Sequence, residues 1–223
     1  RSSYQMENYT AVVREVEEML EHFPGSEYQE AALYDAGWAH YYMEEYDLAI
    51  ETFRRLLDIS VDALKIDRAF FQTGESYFAL AEYGQARSWY GKLVDKYDFS
   101  ALSEKELQAM KTQRLRGLVK ETTRELVAKA QIRIGDAYTN EKQVEAAIAA
   151  YSLVPTRYPQ EDLLVQKSFD NMANMALEQQ GVEMGIAVLQ QGIEQVEDPY
   201  FRGRAQLKIA KILYVEERYQ EAI

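Results

Sequence analysis

The sequence predicts an all-α chain, a solenoid of antiparallel helix pairs interrupted by one inserted helical segment. Three observations carry this. Apolar residues recur at steps of three and four, as in Leu33, Ala36, Gly37, His40 and then Tyr46, Ala49, Ile50, Phe53, Leu56, which is helical periodicity. The segment GWAHYYMEEYDLAIETF (37–53) recurs as GESYFALAEYGQARSWY (74–90) and GDAYTNEKQVEAAIAAY (135–151). In each, Gly is followed twelve residues on by Ala (Ala49, Ala86, Ala147) and four further by an aromatic residue (Phe53, Tyr90, Tyr151). Finally, 47% hydrophobic residues with 4 Pro and 11 Gly in 223 describe a chain able to bury a core.

In chain order, residues 1–26 hold half a repeat, with Tyr9, Val12 and Val16 on one face and Pro24 closing it. Repeats are expected over 27–62, 64–98, 126–161, 163–199 and 200–223. The last two are weaker copies, with Ala173, Gly185, Leu189 and then Ala210, Ala222 in the diagnostic places. The leading small residues step by 37, 61, 38 and 37, so about 24 extra residues lie between Gly74 and Gly135. Small residues at 37 and 49 let two helix axes approach, and Phe53, Tyr90 and Tyr151 fill the space beside that contact. A single pair cannot bury its apolar face, so the copies must stack. The insertion, 99–125, contains Ser103 and Glu106 at capping-box spacing, which predicts a helix start there. The first residue is Arg1 and the last, Ile223, falls within an apolar-periodic stretch, so the chain reads as part of a longer protein.

The pattern resembles the tetratricopeptide repeat. The third copy gives Gln131, Ile134, Gly135, Tyr138, Ala147, Tyr151 and Pro159 on the family motif; the second gives Phe70, Thr73, Gly74, Tyr77, Ala86, Tyr90; the first gives Leu33, Ala36, Gly37, His40, Ala49, Phe53. The resemblance implies a right-handed superhelix whose first helices line a concave groove. The joint HFPGSEYQEAALYDAG (22–37) is similar to joints of bacterial envelope proteins, such as outer-membrane assembly lipoproteins and the Tol–Pal coordinator. That implies a scaffold of the periplasm or cell envelope, with the cytoplasm as the other compartment.

By that resemblance, a non-catalytic protein–protein interaction module is expected, its groove holding a peptide or helix. The residues placed on the groove face are Tyr34, Trp38, Tyr41, Tyr42, Phe71, Glu75 and Phe78, with rings supplying contact area. Some relatives grip a terminal carboxylate with Lys and Asn; here Tyr34 and Trp38, Phe71 and Glu75, Ile132 and Asp136 stand in those places, so the clamp is absent. A mixed aromatic and acidic groove suits an apolar or basic peptide. His40 falls where the motif wants a buried Tyr and is expected to pack in the core.

The insertion offers the alternative. Lys111, Arg114, Arg116 and Lys120 form a cationic run in a chain of net charge −12. They could dock an acidic partner or the acidic face of a second copy, giving a self-assembling scaffold. Other classes are disfavoured. The acidic balance argues against nucleic acid and anionic membranes, and no apolar run is long enough to span a bilayer. With no Cys and two His there is no disulfide, thiolate or metal-ligand spacing. The segment GKLVDKY (91–97) is no phosphate loop. The paired acids Glu44–Glu45 and Glu216–Glu217 read as solvated turns. No cofactor, no metal and no enzymatic role are expected.

Overall fold

The computed structural model describes residues 3–97, 103, 105–106, 108–109, 112 and 123–222. Among these residues there are helices and turns and no strand. The helices are α1 (Ser3–His22), α2 (Gln29–Tyr42), α3 (Tyr46–Ile59), α4 (Ala63–Ala79), α5 (Tyr83–Lys96), α6 (Thr123–Asn140), α7 (Val144–Arg157), α8 (Asp162–Gln179), α9 (Val182–Gln195) and α10 (Pro199–Val215). They fall into two compact units, residues 1–96 and 97–223. Within each unit every helix packs against the next, and the first helices of neighbouring pairs also meet: α2 with α4, and α6 with α8.

The recurring spacing of small and large residues has a direct geometric cause. A Cβ placed on Gly37 would stand 2.6 Å from the Phe53 ring, one on Gly74 2.6 Å from Tyr90, and one on Gly135 2.5 Å from Tyr151. In each pair the ring of the second helix lies on bare backbone of the first. Phe53 and Tyr90 are fully buried, as are Ala49, Ala86 and Ala147. The fourth pair reaches the same end differently. Ala173 faces a helix carrying Leu189, which has no flat ring to accommodate, and both are buried. The close approach moves to Gly185, whose Cα takes the Leu177 side chain.

The turns inside the pairs also repeat. Glu44, Ala81, Lys142 and Glu217 adopt left-handed backbone, with φ of 66°, 60°, 60° and 60°. The residue after each donates its N–H five residues back, as in Glu45 to His40, Glu82 to Tyr77, Gln143 to Tyr138 and Arg218 to Leu213. This is the Schellman ending, which satisfies the last carbonyls of the helix. Only the α8–α9 turn uses glycine, Gly181 at φ 95°. Helix starts are capped at two joints. Asp62 Oδ1 accepts from the N–H groups of Leu64 and Lys65 at 2.9 and 3.2 Å. Asp198 Oδ2 accepts from Phe201 N–H at 2.8 Å, with Pro199 opening the helix.

His40 is buried, as expected, and it is also ligated: its Nδ1 lies 2.7 Å from Glu45 Oε2, tying the end of α2 to the residue that precedes α3. Ser103 and Glu106 form the capping box, Ser103 N–H donating to Glu106 Oε2 at 2.9 Å and Glu106 N–H to Ser103 Oγ at 3.4 Å. Those bonds hold the Glu106 carboxyl below its usual range. Helix α6 starts at Thr123, and Arg124 and Glu125 are already buried.

Candidate functional site

In unit one the first helices, α2 and α4, carry the aromatic residues singled out above. Tyr34, Trp38 and Tyr41 are half-buried and pack on the cluster of Leu33, Ala49, Phe53, Leu56 and Ala69. Trp38 meets Phe53 edge-on, at 6.4 Å and 87°. Its other neighbours are Tyr34 at 6.4 Å, Tyr41 at 6.0 Å and Tyr42 at 5.3 Å. Tyr42 is 36% exposed. It is sandwiched, because Tyr9 of α1 stacks on it at 5.3 Å and 25°. On α4, Phe71 tilts against Tyr90 at 5.6 Å and Phe78 meets Tyr83 at 5.2 Å. All seven residues are thus on α2 and α4, and Tyr9 joins them from a third helix. Sequence reading placed Tyr9 on the half-repeat's face; only the packing of α1 on α2 shows that its ring continues the stack.

The other Trp behaves differently. Trp89 on α5 is 6% exposed, with Lys92 Nζ 3.3 Å from its ring centre and Arg54 at 5.6 Å. Burial and the Arg54 charge hold the Lys92 amine below its usual range.

Glu75 stands one residue after Gly74, and the Tyr90 hydroxyl donates to its Oε1 at 2.5 Å. Asp136, one residue after Gly135, accepts from Tyr151 at 2.7 Å. Burial and the adjacent Asp136 charge push the Tyr151 phenol above its ordinary range. In the first pair the same two places hold Trp38 and Phe53, indole edge replacing carboxylate and phenyl replacing phenol. The exchange is matched on both sides.

In unit two the first helices are joined by polar rungs. Asp136 accepts from Asn171 at 3.3 Å and from Arg133 at 3.2 Å. Arg204 donates to Asp170 at 2.7 Å, and Lys208 donates to Asn174. Counted from the small residue of each first helix (Ala173 and Ala210), the rungs join position −3 to −6 and position +1 to −2 of the next repeat. Unit one, counted from Gly37 and Gly74, has Tyr34 and Arg68, then Trp38 and Gln72, in those places. Gln72 is buried, and its Oε1 has no hydrogen-bond partner among the described residues.

Lys111, Arg114, Arg116 and Lys120 lie outside the described residues. Among the described residues no group of three or more His, Asp or Glu is placed to hold a metal ion, and no helix is long and apolar enough to cross a membrane. The charge is uneven: unit one has eighteen Asp and Glu against nine Lys and Arg, a balance of −9, while unit two has nineteen against sixteen, a balance of −3.

Residues 34–101 match the tetratricopeptide repeat in one family description, and residues 129–161 match it in a second. The chain carries tetratricopeptide repeats. Solved structures similar to it share the helix-pair fold. BtubC from P. vanneervenii is 13% identical, with a TM-score of 0.57 over all of this chain and 87% of its own. A MamA RS-1 double mutant is 15% identical, with a TM-score of 0.54 over 86% of this chain and 94% of its own. The Rap conjugation gene regulator of plasmid pLS20, solved with the Phr* peptide, is 13% identical, with a TM-score of 0.50 over 87% of this chain and half of its own. No curated protein matches the sequence. Within these tetratricopeptide repeats, the glycine-under-ring contact explains why the diagnostic Gly and aromatic stand sixteen residues apart.

Proposed function

We propose that the protein is a non-catalytic interaction module whose unit one holds a peptide or helix on the face formed by α2 and α4. The observation that carries this reading is the half-buried aromatic cluster of Tyr34, Trp38, Tyr41 and Tyr42. Phe71 and Phe78 extend it on the next first helix. Rings anchored on a rigid core offer large contact area at low entropic cost, which is how recognition sites concentrate binding energy. In unit two the first helices are joined by polar rungs, and the exposed apolar residues Leu207, Tyr214 and Val215 of α10 take no part in them. A solved relative of the fold carries a bound peptide, which makes a peptide a suitable size of ligand. The negative balance of unit one favours partners that are apolar or net cationic and slows the approach of polyacidic ones.

The test is capture of partners from a lysate of the source organism, comparing wild type with Trp38→Ala/Tyr42→Ala. Circular dichroism first establishes that the double mutant is folded. A partner captured by wild type and lost from the folded mutant places recognition on this face. A partner retained by the mutant removes the face from the function. Size measurement at two concentrations and two salt levels, on the same samples, reports whether wild type associates with itself.

A further inference from the structure

Resting on that reading, we infer that Arg68 and Gln72 are the polar grip of the aromatic face. The bound segment would carry an Asp or Glu side chain that pairs with Arg68 while an apolar side chain rests on Trp38. The argument is positional. In unit two the rung donors Arg204 and Lys208 find acceptors within the protein, Asp170 and Asn174. Unit one keeps the donor side, with Arg68 and Gln72 at the matching positions of α4. It replaces both acceptors on α2 by rings, Tyr34 for Asp170 and Trp38 for Asn174.

The consequences are visible on α4. Two other cations of the unit are satisfied: Lys65 of α4 pairs with Glu30 at 3.1 Å, and Lys96 at the end of α5 pairs with buried Asp67 of α4 at 2.7 Å. Arg68, next to Asp67 on α4, is half-buried, and among the described residues no carboxylate lies within ion-pair distance of it although acids outnumber bases two to one in this unit. Gln72 is 9% exposed, and its Oε1 has no donor among the described residues. A buried amide oxygen without a donor is costly, and such groups are rare in folded proteins. A carboxylate offers it no hydrogen, so a backbone N–H of the bound segment is what would satisfy Gln72 while the acid pairs with Arg68. Ala69, between the two, belongs to the cluster on which Tyr34 and Trp38 rest, so cation, amide and rings share one neighbourhood. A guanidinium beside low-dielectric rings binds a carboxylate more strongly than one in open water. The ligand therefore supplies from outside what Asp170 supplies from within in unit two. The surrounding negative charge selects segments in which that acid is isolated.

The experiment uses the full chain on arrays of twelve-residue peptides, printed with amidated C-termini and again with free ones. The variants are Arg68→Gln, Tyr34→Asp and Trp38→Ala, each checked by thermal melting. Tyr34→Asp recreates the unit-two rung, so it should occupy Arg68 internally. Wild type should enrich peptides that pair an apolar residue with an internal Asp or Glu, on both arrays. Arg68→Gln and Tyr34→Asp should each weaken those peptides roughly tenfold while keeping the apolar preference. Apolar enrichment that needs Trp38 but shows no acid preference, or an acid preference that survives Arg68→Gln, overturns the inference and leaves the aromatic face standing. Enrichment confined to free C-termini also overturns it, because the carboxylate is then terminal. If no bound peptide depends on Trp38, both the face and its polar grip fail.

Discussion

In unit one Trp38 follows Gly37 and meets Phe53 edge-on; in unit two Asp136 follows Gly135 and accepts the Tyr151 hydroxyl. The backbone contact beneath is the same in both, a ring on a glycine with 2.5 to 2.6 Å to an imagined Cβ. What differs is the residue beside the contact, and with it the character of the first-helix face. A packing rule can thus stay fixed while the surface next to it changes from polar rungs to rings. The change is coupled, since the second-helix residue loses its hydroxyl where the carboxylate is lost.

The strongest way to break the shared rule is Gly74→Ala. Better helix propensity contributes about 1 kcal/mol. Forcing a methyl into the Tyr90 ring costs about 3 kcal/mol, so a net loss of about 2 kcal/mol is expected in chemical denaturation. Ala173→Gly, at the matching place in unit two, should also destabilise, by about 1 kcal/mol, because no ring there needs the space. A stabilised Gly74→Ala protein would refute the ring-on-glycine account.

The coupling can be sharpened by transplanting it. Trp38→Glu should cost about 2 kcal/mol through lost packing. Adding Phe53→Tyr should restore about 1 kcal/mol by giving the new carboxylate a hydroxyl, as Tyr90 does for Glu75. A double-mutant cycle with no coupling energy would show that the two exchanges are independent.

Turns and rungs should give smaller effects. Ala81→Gly should raise stability by about 1 kcal/mol, since a left-handed φ of 60° penalises any side chain. Arg204→Ala should cost about 0.5 kcal/mol, as exposed ion pairs do, and this loss should shrink further in high salt. Both are read as shifts in melting temperature.

The alkaline limb tests the Tyr151 contact of unit two. The Tyr151 phenol is raised above its unfolded value of 10.0 by burial and by Asp136. A group with a raised folded pKa contributes stability that is complete below the unfolded value and is lost as pH climbs past it. Stability should therefore decline above pH 10. In Tyr151→Phe that decline should be shallower, measured by denaturant midpoints across the range.

Much of this was legible in the residues. The spacing of Gly37, Ala49 and Phe53 and its recurrences place two helices and the turn between them, and the seven proposed face residues all fall on α2 and α4. Legibility ended where contacts cross between helices distant in sequence. The sequence pattern groups Glu75 with the aromatic residues, whereas its carboxylate is engaged by Tyr90. The pattern places Tyr9 in a half-repeat and is silent on its ring, which caps Tyr42. Arg68 and Gln72 carry no signal in the sequence, because a donor without its acceptor is defined by a neighbour more than thirty residues away.

The sequence alone determined the helices, their pairing and the repeat, because periodicity and the size of a side chain at a crossing are local properties. The tertiary structure decided which polar groups are satisfied. Neighbouring repeats place position −6 of one helix against position −3 of another, and only their packing tells whether the partner there is Asp170 or Tyr34. Burial then fixes the energetic meaning of that choice, because an amide such as Gln72 is costly to leave unpaired only once water is excluded.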